Sequence, residues 1–183
     1  DNLRLAAEMI LPSPVLDEFS QQVEPERTFV RYDVEIAAEK GASLSTGLQL
    51  RLVNEQLSPI PSAIDHLRFP DSAAYVNRFV HGAHKFFPLS TTEENGNTII
   101  QIQNGSRGRP RKIAANNAQR TVLSATASAE NPIILAAQAE MRSWRFVALE
   151  PSAMRAPDDV VEARPISATG AHIPSSLFRQ ELQ

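Results

Sequence analysis

Residues 27–36, RTFVRYDVEI, alternate apolar and polar side chains from Val30 onward: Val30, Tyr32, Val34 and Ile36 fall on one side, Arg31, Asp33 and Glu35 on the other. A period of two with one wet face is the mark of a half-buried strand. Leu48, Leu50 and Leu52 repeat it around Gln49 and Arg51, with Glu39-Lys40-Gly41 reading as a turn between, so the second run is predicted to pair antiparallel with the first. Asn95-Gly96 then separates 86–92 from 97–103, and this dipeptide is the strongest short hairpin signal, because a tight primed turn needs positive φ at both central residues. At least four strands are therefore expected within residues 1–103. Their links are too short or too proline-rich for βαβ crossovers, which predicts an antiparallel sheet.

Outward from these strands the patterns change. Leu3, Ala6, Ala7 and Ile10 lie at helical spacing ahead of Pro12 and Pro14, predicting a helix tail. Ser58 to Pro70 holds three prolines and reads as a loop; beyond it Ser72 is expected to cap a helix with Tyr75, Val76, Phe79, Val80 and Ala83 as its apolar stripe. Residues 104–120 read as a basic loop. Asn131-Pro132 opens a helix, proline being favoured at the first position, with Ile133, Ala137, Met141 and Trp144 inward. Phe146 to Leu149 reads as a short buried strand or extended exit, 151–174 as a proline-rich surface connection, and Pro174 to Leu182 as a helix start. The expected fold is α+β: a mainly antiparallel β-sheet portion with one helix over 1–103, the basic loop over 104–120, and a helical lobe with a long connection over 121–183.

With 183 residues, 42% hydrophobic and 21% charged, the chain can bury a core without staples, and full-length disorder is excluded. The absence of cysteine excludes disulfides, thiolate zinc sites and a thiol nucleophile, and fits a cytoplasmic protein. No run approaches the roughly 20 apolar residues that span a bilayer, so no membrane partner is expected. Asp1-Asn2-Leu3-Arg4 neither begins with Met nor resembles a signal peptide, as expected of a piece of a longer chain.

Signatures of catalysis are missing from these residues. No GxxxxGK[ST], GxGxxG or Gly-x-Ser-x-Gly occurs. His81 and His84 are spaced for a metal but have no third ligand nearby, and Asp158-Asp159 read as surface acids. Phe146 to Glu150 lacks the Asp that would precede a Mg²⁺-binding Glu. The unusual patch is Arg107, Arg109, Arg111 and Lys112: residues 104–120 carry five basic groups and no acid, a charge of +5 against −8 for the rest. Arg107-Gly108-Arg109-Pro110 matches the core of a hook that lies in an A·T minor groove, and the same residues could neutralise DNA phosphates without reading bases. A plain linker is the bland alternative.

Several short motifs occur in a telling order: Arg120-Thr121-Val122-Leu123-Ser124, Asn131-Pro132, Met141 to Phe146 around Trp144, Leu149-Glu150-Pro151, Met154-Arg155-Ala156-Pro157 and Gly170-Ala171-His172. With Phe29 to Tyr32 and Asn54-Glu55-Gln56-Leu57 earlier, this run resembles the middle of bacterial AAA/ABC-type ATPases related to RecF and the SMC heads. Thr121, where Ser is usual, and Ile173-Pro174 depart from that pattern. The resemblance implies an insert between the phosphate-binding loop and the signature and Mg²⁺-binding segments of an ABC/SMC-like head. It further implies a scaffold or regulatory lobe that is not catalytic alone and holds no cofactor, with ATP and Mg²⁺ belonging to the parent ATPase. The implied partners are the remainder of that head, a second copy in a homodimer, and DNA. Gln101, Gln103 and Gln119 are the glutamines that could approach a nucleotide in such a head. A protein-interaction domain is the remaining alternative.

Overall fold

Val30, Tyr32 and Val34 are buried in the computed structural model, and Arg31, Asp33 and Glu35 face out from the same strand, as the alternation requires. The structure describes residues 2–40, 48–61, 67, 72–82, 86–104, 108–116, 118, 120–126, 128–159, 161 and 164–181. The chain divides into two compact units, Asp1–Arg142 and Ser143–Gln183.

The first unit is built on an antiparallel sheet of six strands in the order β1-β4-β5-β6-β7-β8. These are β1 (Asn2–Ile10), β4 (Phe29–Lys40), β5 (Leu48–Pro59), β6 (Leu89–Glu94), β7 (Asn97–Ile102) and β8 (Arg111–Ala114). A two-residue pair, β2 (Val15–Leu16) with β3 (Gln22–Val23), lies between β1 and β4 in sequence. The α+β class, the antiparallel sheet and the β4–β5 pairing agree with the sequence reading. So does the hairpin: Asn95 and Gly96 both have positive φ, 52° and 73°, and join β6 to β7.

Residues 2–10 form an edge strand instead of a helix tail, paired with β4 from Asn2↔Ala37 to Ile10↔Phe29. Leu3, Leu5, Ala7 and Met9 satisfy period two as well as Leu3, Ala6, Ala7 and Ile10 satisfy the helical period, and the open edge of β4 decides between them. Glu39 and Lys40 continue β4 rather than turning, and Gly41 lies outside the described residues. β5 runs through Ser58 and Pro59, so the proline-rich connection starts later than the sequence suggests. The basic segment is also not wholly a loop: Arg111–Ala114 pairs with β7, Ile102 opposite Arg111 and Gln101 opposite Lys112.

The core lies on one face of the sheet. Val30, Tyr32, Leu52, Leu57, Leu89 and Ile100 pack with α2 (Val122–Ala125) and with α3 (Pro132–Ser143). Ile133 and Ala137 point inward as read, Met141 packs against the cluster, and Ile134, Leu135, Ala136 and Gln138 are buried too. Trp144 follows the helix and is half exposed rather than in its core stripe.

α1 (Ser72–Phe79) forms where expected, with Ser72 as its first residue; no residue of it is buried, and only Val76 and the following Val80 pack on a small cluster of Phe29 and Ile60. Tyr75 and Phe79 instead stack on each other, ring centroids 4.7 Å apart, while Ala83 lies outside the described residues. Its exit is pinned to the residue before β4: Thr28 N–H donates to His81 C=O, His81 N–H to Thr28 Oγ1, and Thr28 Oγ1–H to Phe79 C=O.

The second unit contains α4 (Pro151–Met154) and α5 (Ile173–Glu181). Phe146 to Leu149 is extended but not a buried strand: Phe146 is 89% exposed, and the Ala148 and Glu150 amides bond to Ala168 and Thr169 carbonyls. The helix expected from Pro174 is α5. Among the described residues, no helix is long and apolar enough to cross a membrane.

Candidate functional site

Glu55 is the centre of the polar architecture in the first unit. A bulge between Glu35 and Ile36 in the β4–β5 ladder pairs them with Asn54 and Leu52 and leaves Val53 extra. The phase of β5 changes there, so Leu52, Glu55 and Leu57 are buried while Asn54 and Gln56 line the wet face with Arg31 and Asp33. Glu55 is 0% exposed. Its Oε1 accepts Tyr32 O–H at 3.1 Å and Leu123 N–H at 2.8 Å, and its Oε2 accepts Val122 N–H at 2.7 Å.

The carboxylate thus supplies the first two amides of α2 with the acceptor that helix starts lack, while Thr121 Oγ1 caps Ser124 N–H. Gln138 closes the other end by donating to Leu123 and Ser124 carbonyls. Thr91 Oγ1 accepts Glu55 N–H and donates to Glu55 C=O, fixing the backbone where β5 and β6 share only the Leu57↔Leu89 bridge. Burial pushes the Glu55 carboxyl above its ordinary value, and the three donors pull it back. Burial likewise raises the Tyr32 phenol, with the Glu55 charge adding to the shift. With both oxygens engaged inside the core, this carboxylate is a tie between sheet and helices.

Among the described residues, none of the candidate site residues read from the sequence is hydrogen-bonded to the Glu55 carboxylate. Arg107, Gln119 and His84 lie outside the described residues. Arg109 and Arg111 are exposed, and Lys112 is ion-paired with Glu94 across the sheet at 2.5 Å. Gln101 Nε2 donates to Thr92 Oγ1 and Gln103 Nε2 to Gly108 C=O. His81 is held through its backbone at the α1 exit, and no group of three metal-ligating side chains exists among the described residues.

In the second unit Asp158 meets His172 and Ser175. Asp158 Oδ1 lies 2.7 Å from His172 Nδ1 and Oδ2 accepts Ser175 N–H in the first turn of α5, so the carboxylate caps that helix from a distant loop. Ser175 O–H donates to the His172 carbonyl and not to its imidazole, so serine, histidine and aspartate meet without forming a proton relay. Hydrogen bonds from Ser175, then His172, hold the Asp158 carboxyl at about 2. A carboxylate depressed in the folded state stabilises it above the ordinary value near 3.8, and that contribution disappears as pH falls toward 2. Acid titration followed by the Ser175 amide signal is expected to show the α5 start loosening across pH 4 to 2, and Asp158→Asn to remove that transition.

Among the described residues, the charged groups lining two cavities of the first unit, one at the start of α3 and one on the wet face of the sheet, do not compose a triphosphate cradle. Among the described residues, the charged groups lining a cavity of about 280 Å³ at the start of α3 are Glu26 and Glu130. On the wet face of the sheet, Arg4 pairs with Glu35, and Arg31 with Glu8 and Asp33. The described residues of these two cavities therefore do not fit ATP. No family model, curated protein or solved structure matches the chain.

Proposed function

We propose that the chain is an internal scaffold lobe of an ATP-binding, RecF/SMC-like ATPase head, acting in the cytoplasm and inert by itself. One observation carries the reading: Glu55 of the Asn54–Leu57 segment is hydrogen-bonded to Val122 and Leu123 of the Arg120–Ser124 segment, so two of the motifs behind the resemblance meet through one buried carboxylate. Such a lobe would transmit strain between sheet and helices as one body, which suits a part that couples nucleotide-driven closure to the rest of a head. ATP and Mg²⁺ would be held by segments outside these residues, and no step of hydrolysis is assigned to this chain. Isothermal titration of ATP–Mg²⁺ into the 183-residue chain is expected to show no binding, and a longer chain carrying a phosphate-binding loop is expected to bind. Saturable binding by the short chain would overturn the reading.

A second reading, DNA binding through the basic segment, draws on the exposure of Arg109 and Arg111. Lys112 contributes less because Glu94 neutralises it. Each phosphate contact steepens the salt dependence of affinity by roughly 0.9 in log–log slope. Under this reading Arg109→Ala with Arg111→Ala flattens the slope for duplex DNA by about 2; an unchanged slope in anisotropy measurements removes it.

A further inference from the structure

β1 ends the sheet: among the described residues its strand neighbour is β4, on one side. The antiparallel register fixes which residues of β1 spend their backbone on that neighbour. Leu11 N–H, just past β1, donates to Thr28 C=O, and Phe29 C=O accepts Ile60 N–H from the other side of β4. Counting back by twos from Leu11 through the unbroken register, Met9, Ala7, Leu5 and Leu3 face β4 with their N–H and C=O, whereas Asn2, Arg4, Ala6, Glu8 and Ile10 turn theirs outward. Asn2 to Ala6 and Glu8 are exposed. Leu3 and Leu5 stand opposite Ile36 and Val34 on the core face, yet they remain 56% and 54% exposed.

We propose that β1 pairs with β1 of a second copy, antiparallel about Ala6, and so joins two sheets into one. In that register Ala6 meets its own counterpart, Arg4 lies opposite the second copy's Glu8, and Glu8 opposite its Arg4, so both charge contacts are unlike. A shift of two residues sets both charges against neutral side chains, and a shift of four sets Arg4 against Arg4 or Glu8 against Glu8. Arg4 and Glu8 keep their bonds to Glu35 and Arg31, because a guanidinium has donors, and a carboxylate lone pairs, for more than one partner. The odd positions become the non-hydrogen-bonded pairs of the joint, where side chains come closest, so Leu5 packs on the other chain's Ala7 and Leu3 on its Met9. This covers the two leucines that the chain's own fold leaves exposed. One strand pair buries less than the roughly 1,200 Å² of a standard interface, so the association is weak, with Kd about 10–100 µM. The inference rests on the sheet edge, not on the ATPase-lobe reading, and the joint requires no nucleotide.

Sedimentation equilibrium of the 183-residue chain without nucleotide, from about 1 µM to about 1 mM, tests it. A monomer–dimer equilibrium is expected. Ala6→Pro removes an outward N–H and no bond to β4, a place where an edge strand tolerates proline, and should weaken association at least about tenfold while the amide spectrum of β4 and β5 persists. Arg4→Glu sets acid against acid at the joint and Glu8→Arg sets base against base, so each should lose self-association. A mixture of the two variants should associate again, since every charge contact across the joint is then unlike; misfolding cannot produce that recovery. Leu5→Cys mixed with Ala7→Cys, in a chain with no cysteine of its own, should give a disulfide-linked heterodimer on oxidation, and neither variant should cross-link with itself. A chain that stays monomeric throughout, association untouched by Ala6→Pro, no recovery in the mixture of folded variants, or self-cross-linking of either cysteine variant would overturn the proposal. A monomer that instead binds an unrelated extended peptide along β1 assigns the edge to another polypeptide and overturns it as well.

Discussion

Glu55→Ala is expected to destabilise the first unit by about 3–5 kcal/mol, read as a fall in the urea midpoint. The substitution strands three buried donors at once: the Tyr32 hydroxyl and the Val122 and Leu123 amides. Each unsatisfied buried donor costs roughly 1–3 kcal/mol, and relief of the carboxylate's own desolvation returns part of the sum. Against a total of roughly 5–15 kcal/mol for a domain, the loss is a large fraction. Glu55→Gln keeps one acceptor but turns an NH₂ toward a donor, so it should fall between wild type and alanine. The loss should appear first as faster hydrogen exchange at Val122 and Leu123, because the other side-chain cap of α2, Thr121 Oγ1, serves Ser124 N–H. A cost below about 1 kcal/mol would mean that apolar packing alone seats α2 on the sheet.

Gly82→Ala is the second large effect, about 3 kcal/mol or more. Gly82 has φ +93°, and a Cβ there would stand 2.0 Å from the Glu26 carbonyl oxygen and 3.0 Å from Arg27 Cα. Both obstacles are backbone, so no rotamer change relieves them, and the Thr28–His81 hydrogen bonds next to the site would have to open. Gly96→Ala is the matched control: φ is +73° with nothing within 4 Å, so only the conformational cost of about 1 kcal/mol remains. Thermal or urea unfolding of the two variants separates steric exclusion from backbone preference; equal losses would show that the Glu26 contact relaxes freely.

The contrast between these positions explains how much could be read in advance. The hairpin at Asn95-Gly96 was legible because its signal is local: two residues define the turn, and the flanking strands follow. β1 was not, because its apolar residues satisfy two periods and the choice is made by β4, a partner some thirty positions away. Glu55 stands in the Asn54–Leu57 motif, yet its burial was not legible, for a related reason. Counting by twos from Leu48 sends Glu55 to the wet face, and only the extra Val53 reverses the phase; the lone signal was Leu57, apolar and out of step with Leu52. The basic segment was conspicuous in sequence, yet its Arg111–Ala114 part is placed by pairing with β7, and Lys112 finds Glu94 on β6, two strands from β8 in the sheet. Asn131 was identified as a helix start, but that its buried Oδ1 meets no hydrogen-bond partner among the described residues is a property of packing that no spacing rule contains.

The rims of the sheet differ in how they would meet a second copy of themselves. β8 closes one rim with Arg111 exposed and Lys112 paired with Glu94, so an identical strand arriving parallel and in register would bring Arg111 against Arg111 before backbone bonds could form. At the opposite rim, β1 carries Arg4 and Glu8, already matched within the sheet by Glu35 and Arg31. The Arg111 charge therefore disfavours in-register edge-to-edge stacking into fibrils, a protection that rests on one side chain and would weaken as salt screens it.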